Sequence, residues 1–142
     1  MSYIFREKLN LLDLVGKEKQ YQRVLTVGME DYLGELYGRY LASHNLAVAH
    51  CASLDTTHEH IEQFQPHLVV LSLEQVKGQR PLLSLLYQIK LLYPSLLVVS
   101  VGYNTDHELL RKMMSAGVCS HLDRRLSRPQ DLVAVVTTLL YK

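Results

Sequence analysis

The sequence lacks an excess of charge of either sign. Its 15 lysines and arginines nearly balance 14 aspartates and glutamates, and the formal net charge is +1. Nucleic acids and anionic membrane surfaces are bound by clustered positive charge, which this composition does not indicate. We therefore expect protein partners, with no nucleic acid and no membrane among them.

Long hydrophobic runs are also missing. The most apolar stretch, residues 81–102, is interrupted by Gln88, Lys90 and Pro94, whereas a membrane-spanning helix needs about 20 predominantly apolar residues. The first ten residues, "MSYIFREKLN", carry charges where a signal peptide would be apolar. These features predict a cytoplasmic protein.

Cysteine is scarce, and no metal-binding motif is recognisable. The two cysteines, Cys51 and Cys119, have no CxxC spacing and form no disulfide framework, so we interpret both as small residues in or near the core. His58 and His60 are two positions apart, which places their rings on different faces of a helix and favours surface polarity over metal binding. We expect no metal and no cofactor.

What the sequence does contain is a regular alternation of two patterns within 142 residues, a length that suits one domain. Apolar, β-rich runs alternate with longer helical patterns, which is typical of βαβ units and a parallel sheet. The predicted strands are 23–27, 47–52, 67–73, 96–101 and 118–122. The predicted helices are 32–44, 56–65, 80–93, 106–115 and 129–141.

Helix-capping signals support this alternation. Gly117 stands where a C′ glycine closes the fourth predicted helix, and Pro129 stands in the first turn of the last one. The residues that can precede or cap predicted helices are Asp55 or Thr56, Thr105 or Asp106, and Ser127 or Arg128.

Three segments show this pattern in most detail: "RVLTVGMEDYLGELYGRYL", "QPHLVVLSLE" and "YPSLLVVSVGYNTDHELLRKMMSAGVCSHLDRRLSRPQDL". Their pattern resembles the flavodoxin-like fold, and its details resemble the response-regulator receiver domain (CheY-like). The resemblance runs from Arg23 to the C-terminus, about five-sixths of the chain. It implies an α/β fold in which a five-stranded parallel sheet is flanked by helices.

The resemblance also implies which residues would transfer a phosphoryl group. In a working receiver an aspartate accepts that group, two acidic residues hold Mg²⁺, and a hydroxyl residue and a lysine contact the phosphoryl oxygens. The acidic pair maps onto Gly28 and Met29, and the acceptor onto Ser72. None of these side chains has a carboxylate. In an alternative match, shifted by two residues, Glu30 and Asp31 form the acidic pair.

The other positions of the phosphorylation site depart from the family as well. The hydroxyl position maps onto Gly102, with Ser100 nearby, and the lysine position maps onto Arg124, which keeps the charge but not the compact ammonium. The aromatic switch position maps onto His121, which is either a pH-sensitive switch or a partly buried edge residue without such a role. The run 123–125, "DRR", either binds an anion or forms local ion pairs.

Two apolar segments predict protein contacts. Residues 1–22 lie outside the resemblance and are predicted to form an amphipathic helical extension of the receiver-like domain, residues 23–142. Such a helix is marginal alone and should pack on its own domain, on a second copy or on a partner. The last predicted helix has a second apolar stripe, which is either a broad core-facing surface or a contact. The candidate interface residues are Ile4, Phe5, Leu9, Leu12, Val133 and Leu140.

Together these features predict a non-catalytic, phosphorylation-independent pseudo-receiver that regulates or scaffolds by binding protein, with a homodimer expected. The alternative is a small-ligand or anion sensor that uses the pocket between Gly28, Ser72, Gly102 and Arg124. An enzyme of unrelated chemistry is not expected, because no paired nucleophile and base is recognisable.

Overall fold

The computed structural model describes residues 2–4, 21–74, 76–103 and 105–141. Its strands are β1 (Ser2–Ile4), β2 (Gln22–Val27), β3 (Leu46–Cys51), β4 (Leu68–Ser72), β5 (Leu97–Gly102) and β6 (Ser120–Asp123). Its α-helices are α1 (Asp31–Ala42), α2 (Thr57–Phe64), α3 (Gln79–Leu92), α4 (His107–Ser115) and α5 (Pro129–Leu140). Among these residues, no helix has the length and apolar character needed to cross a membrane.

The strands form one sheet with the order β1-β3-β2-β4-β5-β6. Strands β2 to β6 are all parallel to one another, which confirms the predicted five-stranded parallel sheet flanked by helices. Every predicted strand or helix of residues 23–141 is found, with ends within two residues of the observed ones. The agreement follows from the strand composition, because strands buried on both faces have nearly continuous apolar runs.

The sixth strand corrects the prediction for the start of the chain. Strand β1 runs antiparallel to β3, so Ile4 belongs to a strand of the same sheet and not to a helix. Without β1, β3 would be an edge strand, and its unpaired backbone groups favour pairing with another strand. The other predicted contact residues of this segment, Phe5, Leu9 and Leu12, lie outside the described residues.

Apolar side chains fill a core layer on each face of the sheet. Helices α1 and α5 cover one face, and α2, α3 and α4 cover the other. The buried helix residues of the first layer include Tyr37, Leu41, Leu132 and Val136. Those of the second layer include Ile61, Leu82, Leu86 and Met113. Burial of each large aliphatic side chain contributes about 1.5–3 kcal/mol, so these layers hold the strand ends in fixed positions.

The helix ends follow the sequence only in part. Asp106 accepts hydrogen bonds from two backbone N–H groups at the start of α4, which confirms one predicted cap. Before α2, Thr56 occupies the N-cap position, as predicted, but its side chain makes no capping hydrogen bond. Ser53 accepts the backbone N–H of Asp55 at the start of a 3₁₀ turn that precedes the helix. Gly117 follows α4 with a φ of +110°, as predicted for a C′ glycine.

A buried histidine sets the position of α1 on the sheet. His50 of β3 is 0% exposed, and its Nδ1 lies 2.7 Å from the Oγ1 of Thr26. Helix α1 crosses this ring at Gly34, where an added Cβ would lie 2.7 Å from His50 Cε1. Burial lowers the pKa of His50, although the charge of Asp31 opposes that effect. Glycine lets the helix approach the ring this closely because it has no Cβ.

Candidate functional site

The carboxyl ends of β2, β4 and β5 bring the predicted site residues together. Gly28 follows β2, Ser72 ends β4, and Gly102 ends β5. An added Cβ at Gly28 would lie 3.0 Å from the carbonyl oxygen of Ser72. The backbone N–H of Arg124 donates to the carbonyl oxygen of Gly102 at 2.8 Å. The site therefore lies at the carboxyl-terminal ends of the parallel strands, where parallel α/β proteins commonly bind ligands.

The positions that match the acidic pair hold no side-chain oxygen. Gly28 has a φ of +80°, and its N–H donates to the carbonyl oxygen of Cys51 at 2.8 Å. Met29 is 2% exposed and packs in the core layer under α1 and α5. Mg²⁺ prefers oxygen ligands in octahedral geometry. Neither Gly28 nor Met29 has a side-chain oxygen that could serve as such a ligand.

The alternative acidic pair lies at the start of α1. Glu30 precedes the helix, Asp31 is its first residue, and both are exposed. Asp31 interacts electrostatically with His50. In the part of the chain that the structure describes, no group of three or more His, Cys, Asp and Glu side chains is arranged to hold a metal ion. Glu30 and Asp31 therefore have no third such ligand beside them there.

The acceptor position is buried. Ser72 is 2% exposed, and its Oγ accepts the backbone N–H of Glu74 at 3.5 Å. Serine often makes this kind of local hydrogen bond where the chain turns. The hydroxyl thus helps to end β4 and begin the following loop, and it is not presented to solvent.

A serine–histidine pair lies just inside the strand ends. Ser100 of β5 is opposite His121 of β6, and Ser100 Oγ lies 2.7 Å from His121 Nδ1. The spacing is that of a nucleophile and its base, and Thr26 and His50 are spaced similarly. Both hydroxyl residues, however, are 0% exposed. No substrate can reach these oxygens in this conformation. Each pair instead joins two neighbouring strands, β2 with β3 and β5 with β6.

His121, at the switch position, is partly buried. Burial lowers its pKa, although the neighbouring Asp123 opposes that effect. Its Cε1 would lie 3.2 Å from an added Cβ at Gly102, and its Nε2 has no hydrogen-bond partner among the described residues. These contacts agree with a partly buried edge residue, and a role as a pH-sensitive switch stays a prediction.

The cation at the lysine position is already paired. The guanidinium of Arg124 forms a salt bridge with the carboxylate of Glu74. The pair joins the loop after β6 to the loop after β4, and its side chains are 29% and 22% exposed. Partial burial reduces screening by salt. A carboxylate of the chain itself therefore neutralises the cation at the position that matches the receiver lysine.

The second arginine of the run 123–125 is paired as well. Arg125 donates from Nη2 to Asp123 Oδ2 at 2.9 Å and from Nε to Asp123 Oδ1 at 3.3 Å. Its guanidinium carbon also lies 5.8 Å from the centre of the Tyr103 ring, within the range of a cation–π contact. The observed arrangement is thus the local ion pair, not an unpaired cationic site for an anion.

A cleft of about 690 Å³ opens beside the Glu74–Arg124 salt bridge. Its lining residues are Leu73, Glu74, Tyr103, Thr105, Asp106, Leu109 and Arg124. An added Cβ at Gly102 would lie 2.5 Å from Thr105 Oγ1. The hydroxyl of Thr105, in the loop after β5, therefore occupies the space into which a side chain of residue 102 would project.

The histidines and cysteines outside this site have ordinary contacts. His58 Nε2 lies 2.7 Å from Gln88 Oε1, and His60 Nδ1 lies 2.8 Å from the carbonyl oxygen of Thr56. These are polar contacts of the helix surface. Of the two cysteines, Cys51 is buried as predicted, whereas Cys119 is exposed.

The predicted contact surface on α5 is corrected by the structure. Val133 is 5% exposed and belongs to the core layer shared with α1. Leu140 is partly buried and packs against the same layer. The second apolar stripe of α5 is therefore a broad core-facing surface, the alternative that the sequence left open.

Exposed apolar side chains are found instead on α3. Leu91 is 80% exposed, and Tyr87 and Leu92 are more than half exposed. Sequence reasoning missed this surface because α3 is apolar around much of its circumference, so its pattern alone does not separate buried from exposed leucines. Glu74 and Thr105 were missed for another reason, since only loop geometry brings them to the site.

No family model matches the chain, and no curated protein matches it. Solved structures do match. A response regulator receiver domain protein (CheY-like) from Methanospirillum hungatei JF-1 is 18% identical with a TM-score of 0.75, covering 84% of this chain and 94% of that chain. HP1043, an orphan response regulator of H. pylori, is 20% identical with a TM-score of 0.73, covering 82% and 94%.

A third solved structure is described as an atypical orphan response regulator with a new phosphorylation-independent regulatory mechanism. It is 20% identical with a TM-score of 0.70, covering 82% of this chain and 93% of that chain. At such identities the similarity establishes the fold and not the activity. The CheY-like, flavodoxin-like fold predicted from the sequence is confirmed.

Proposed function

We propose that this chain is a pseudo-receiver, a degenerate receiver that regulates or scaffolds by binding protein and does not transfer phosphoryl groups. The observation that carries the proposal is the Glu74–Arg124 salt bridge beside the buried Ser72. In a working receiver the corresponding cation contacts the oxygens of the phosphoryl group. Here an internal carboxylate, that of Glu74, holds the cation at the corresponding position.

The chemistry of the neighbouring positions supports the same conclusion. A serine hydroxyl such as that of Ser72 cannot form the acyl phosphate of a receiver, because it has no carboxyl group. Gly28 and Met29 offer no side-chain oxygen to Mg²⁺. We therefore expect neither Mg²⁺-dependent phosphorylation nor another enzymatic activity.

Exposed apolar side chains support a protein partner. Leu91 and Leu92 project from the end of α3, and Met114 of the neighbouring helix α4 is 42% exposed. Tyr87 and Leu91 are four residues apart on α3 and so adjoin on its exposed face, and contiguous exposed apolar surface commonly marks a protein–protein contact. We propose that a second copy of the chain covers this surface, giving a cytoplasmic homodimer that presents the receiver fold to other regulators.

The test is the molecular mass and hydrodynamic size of the full chain, measured by size-exclusion chromatography with light scattering. Samples with and without Mg²⁺ and beryllofluoride, a mimic of the phosphoryl group, should give the same dimer mass. Leu91→Glu should give a monomer, whereas Gln79→Glu, which adds the same single negative charge at the other end of α3, should not. A mass or size that changes with the mimic would overturn the proposal.

The anion-sensor alternative has one supporting observation, the 690 Å³ cleft that Arg124 and Thr105 help to line. An anion bound there must displace Glu74 from Arg124, and loss of that salt bridge opposes binding. Thermal melts with inorganic phosphate separate the two functions. Under the pseudo-receiver proposal, phosphate leaves the melting temperature unchanged. A rise that disappears in Arg124→Ala and grows in Glu74→Gln would favour the sensor.

A further inference from the structure

A second cleft lies at the opposite end of the sheet, where β2, β4 and β5 begin. Its volume is about 550 Å³, within the range of about 300–1,000 Å³ that small-molecule sites occupy. Both core layers reach its wall, since it combines residues of α2 and α5 with Tyr93, which follows α3. The apolar part of the wall includes Ile61, Leu96, Leu97, Leu139 and Leu140. The proposed pseudo-receiver function makes no use of this cleft.

Arg23 provides a cation at the cleft. Its Nε donates to the carbonyl oxygen of Gln65 at 2.8 Å, which holds the guanidinium in place. Within the described part of the chain, no carboxylate forms a salt bridge with it, in contrast to Arg124 and Arg125. The terminal N–H groups of a guanidinium form a planar fork that matches the two oxygens of a carboxylate.

His67 provides a neutral hydrogen-bond donor beside this cation. Its Nδ1 lies 2.9 Å from the backbone nitrogen of Arg23. A backbone N–H can only donate, so Nδ1 is the acceptor and the ring hydrogen is on Nε2. Burial and the charge of Arg23 lower the pKa of His67, which keeps the ring in this neutral form.

One acidic side chain also lines the cleft. The Oε2 of Glu62 accepts a hydrogen bond from the hydroxyl of Tyr93 at 2.6 Å. That contact orients the carboxylate toward Tyr93. A ligand with a negative group should therefore place it at the Arg23 and His67 end of the cleft and its apolar part along the leucines.

We propose that this cleft binds a small amphipathic carboxylate, with the carboxylate between Arg23 and His67 and the apolar body against Leu96, Leu139 and Leu140. A monoanion matches the single cation and the single neutral donor, whereas a phosphate dianion would leave one charge uncompensated. Because α2, α5 and Tyr93, which follows α3, all contribute to the wall, the bound ligand holds elements of both core layers together. The site thus provides small-molecule control at the end of the sheet opposite the degenerate phosphorylation site.

The test uses the full chain, labelled with ¹⁵N, and two probes of equal chain length, sodium octanoate and octan-1-ol. Octanoate should shift the backbone amide resonances of residues 65, 67 and 95–97 and raise the melting temperature. Octan-1-ol should bind about tenfold more weakly, because it lacks the charge-assisted hydrogen bonds. This comparison needs no substitution and remains decisive even if a variant fails to fold.

Variants of charged residues then test whether Arg23 is the cation that binds the carboxylate of octanoate. Arg23→Gln should weaken octanoate binding about tenfold, and Arg23→Lys should retain most of it. Arg111→Gln, which removes an exposed cation from α4, should bind like the unmodified chain. The proposal is overturned by equal affinity for octanoate and octan-1-ol, by shifts confined to the exposed leucines of α3, or by the absence of any shift at millimolar octanoate. None of these outcomes bears on the dimer mass that tests the pseudo-receiver proposal.

Discussion

Replacing Ser72 with aspartate probes the carboxyl-end site most directly, because it supplies the carboxylate that accepts the phosphoryl group in a working receiver. Ser72→Asn is the matched control, since asparagine has the same shape and carries no charge. The two variants share any steric cost at this 2% exposed position. Their difference in unfolding free energy therefore isolates the cost of the charge.

The size of that difference follows from the surroundings of Ser72. Arg124 already pairs with Glu74, and Gly28 and Met29 offer no metal-binding oxygen. A buried carboxylate without a counter-ion should cost about 2–4 kcal/mol relative to asparagine. The same energy corresponds to a rise of about 1.5–3 units above the ordinary aspartate pKa of about 3.9.

The pH dependence of unfolding shows whether the introduced carboxylate stabilises or destabilises the folded state. With a raised pKa in the folded protein, the folded state of Ser72→Asp binds more protons than the unfolded state between the two pKa values, so stability falls as the pH rises. Urea denaturation followed by circular dichroism should find the two variants nearly equal at about pH 4 and about 2–4 kcal/mol apart at about pH 8. Millimolar Mg²⁺ should not reduce that gap.

Two results would refute this reasoning. Equal stability of the variants at the higher pH would mean that the introduced carboxylate finds solvent or a cation. Selective stabilisation of Ser72→Asp by Mg²⁺ would mean that Glu30 and Asp31 complete a metal site, so that the match shifted by two residues is the correct one. The chain would then be close to a working receiver.

Three further predictions concern stability, each measured by denaturation of the full chain. Gly34→Ala should lower the free energy of unfolding by about 1–3 kcal/mol, because the added methyl group overpacks against His50. Helix propensity alone predicts a gain in stability of about 1 kcal/mol, so a more stable variant would contradict this prediction. Burial lowers the pKa of His50, His67 and His121 from 6.5, so the unfolded state binds more protons and stability should fall as the pH drops below that value; a flat profile from neutral to mildly acidic pH would count against it. Glu74→Gln should cost about 1–2 kcal/mol by breaking a partly buried salt bridge, and that cost should shrink in high salt if the bridge is the cause.

The fold was predictable because its signals are local. Apolar runs that are buried on both faces alternate with helical patterns, and Asp106 and Gly117 mark both ends of α4 in the sequence. The edge strand β1 was not predictable in this way. Its segment has helical spacing, and pairing with β3 depends on an open sheet edge that no local pattern reveals.

The candidate site was predictable as a set of positions but not as a set of contacts. The end of an apolar run located Ser72, and the resemblance to receiver domains located Gly102 and Arg124 at the ends of later strands. The salt bridge from Glu74 joins residues that are far apart in the chain, and loop geometry alone brings them together. Burial of Val133 was likewise hidden, because an apolar stripe looks the same whether it faces the sheet or a partner.

The backbone at Gly28 limits how the site can change during evolution. Any other residue there must adopt a φ near +80°, which costs about 1–2 kcal/mol, and must fit its Cβ 3.0 Å from the carbonyl oxygen of Ser72. An aspartate at Met29 would instead enter the core. Each single substitution at these positions therefore gives a less stable protein. A metal-binding pair can arise there only if the loop after β2 rearranges at the same time. The present arrangement therefore persists under single substitutions, because each of them lowers the stability of the fold.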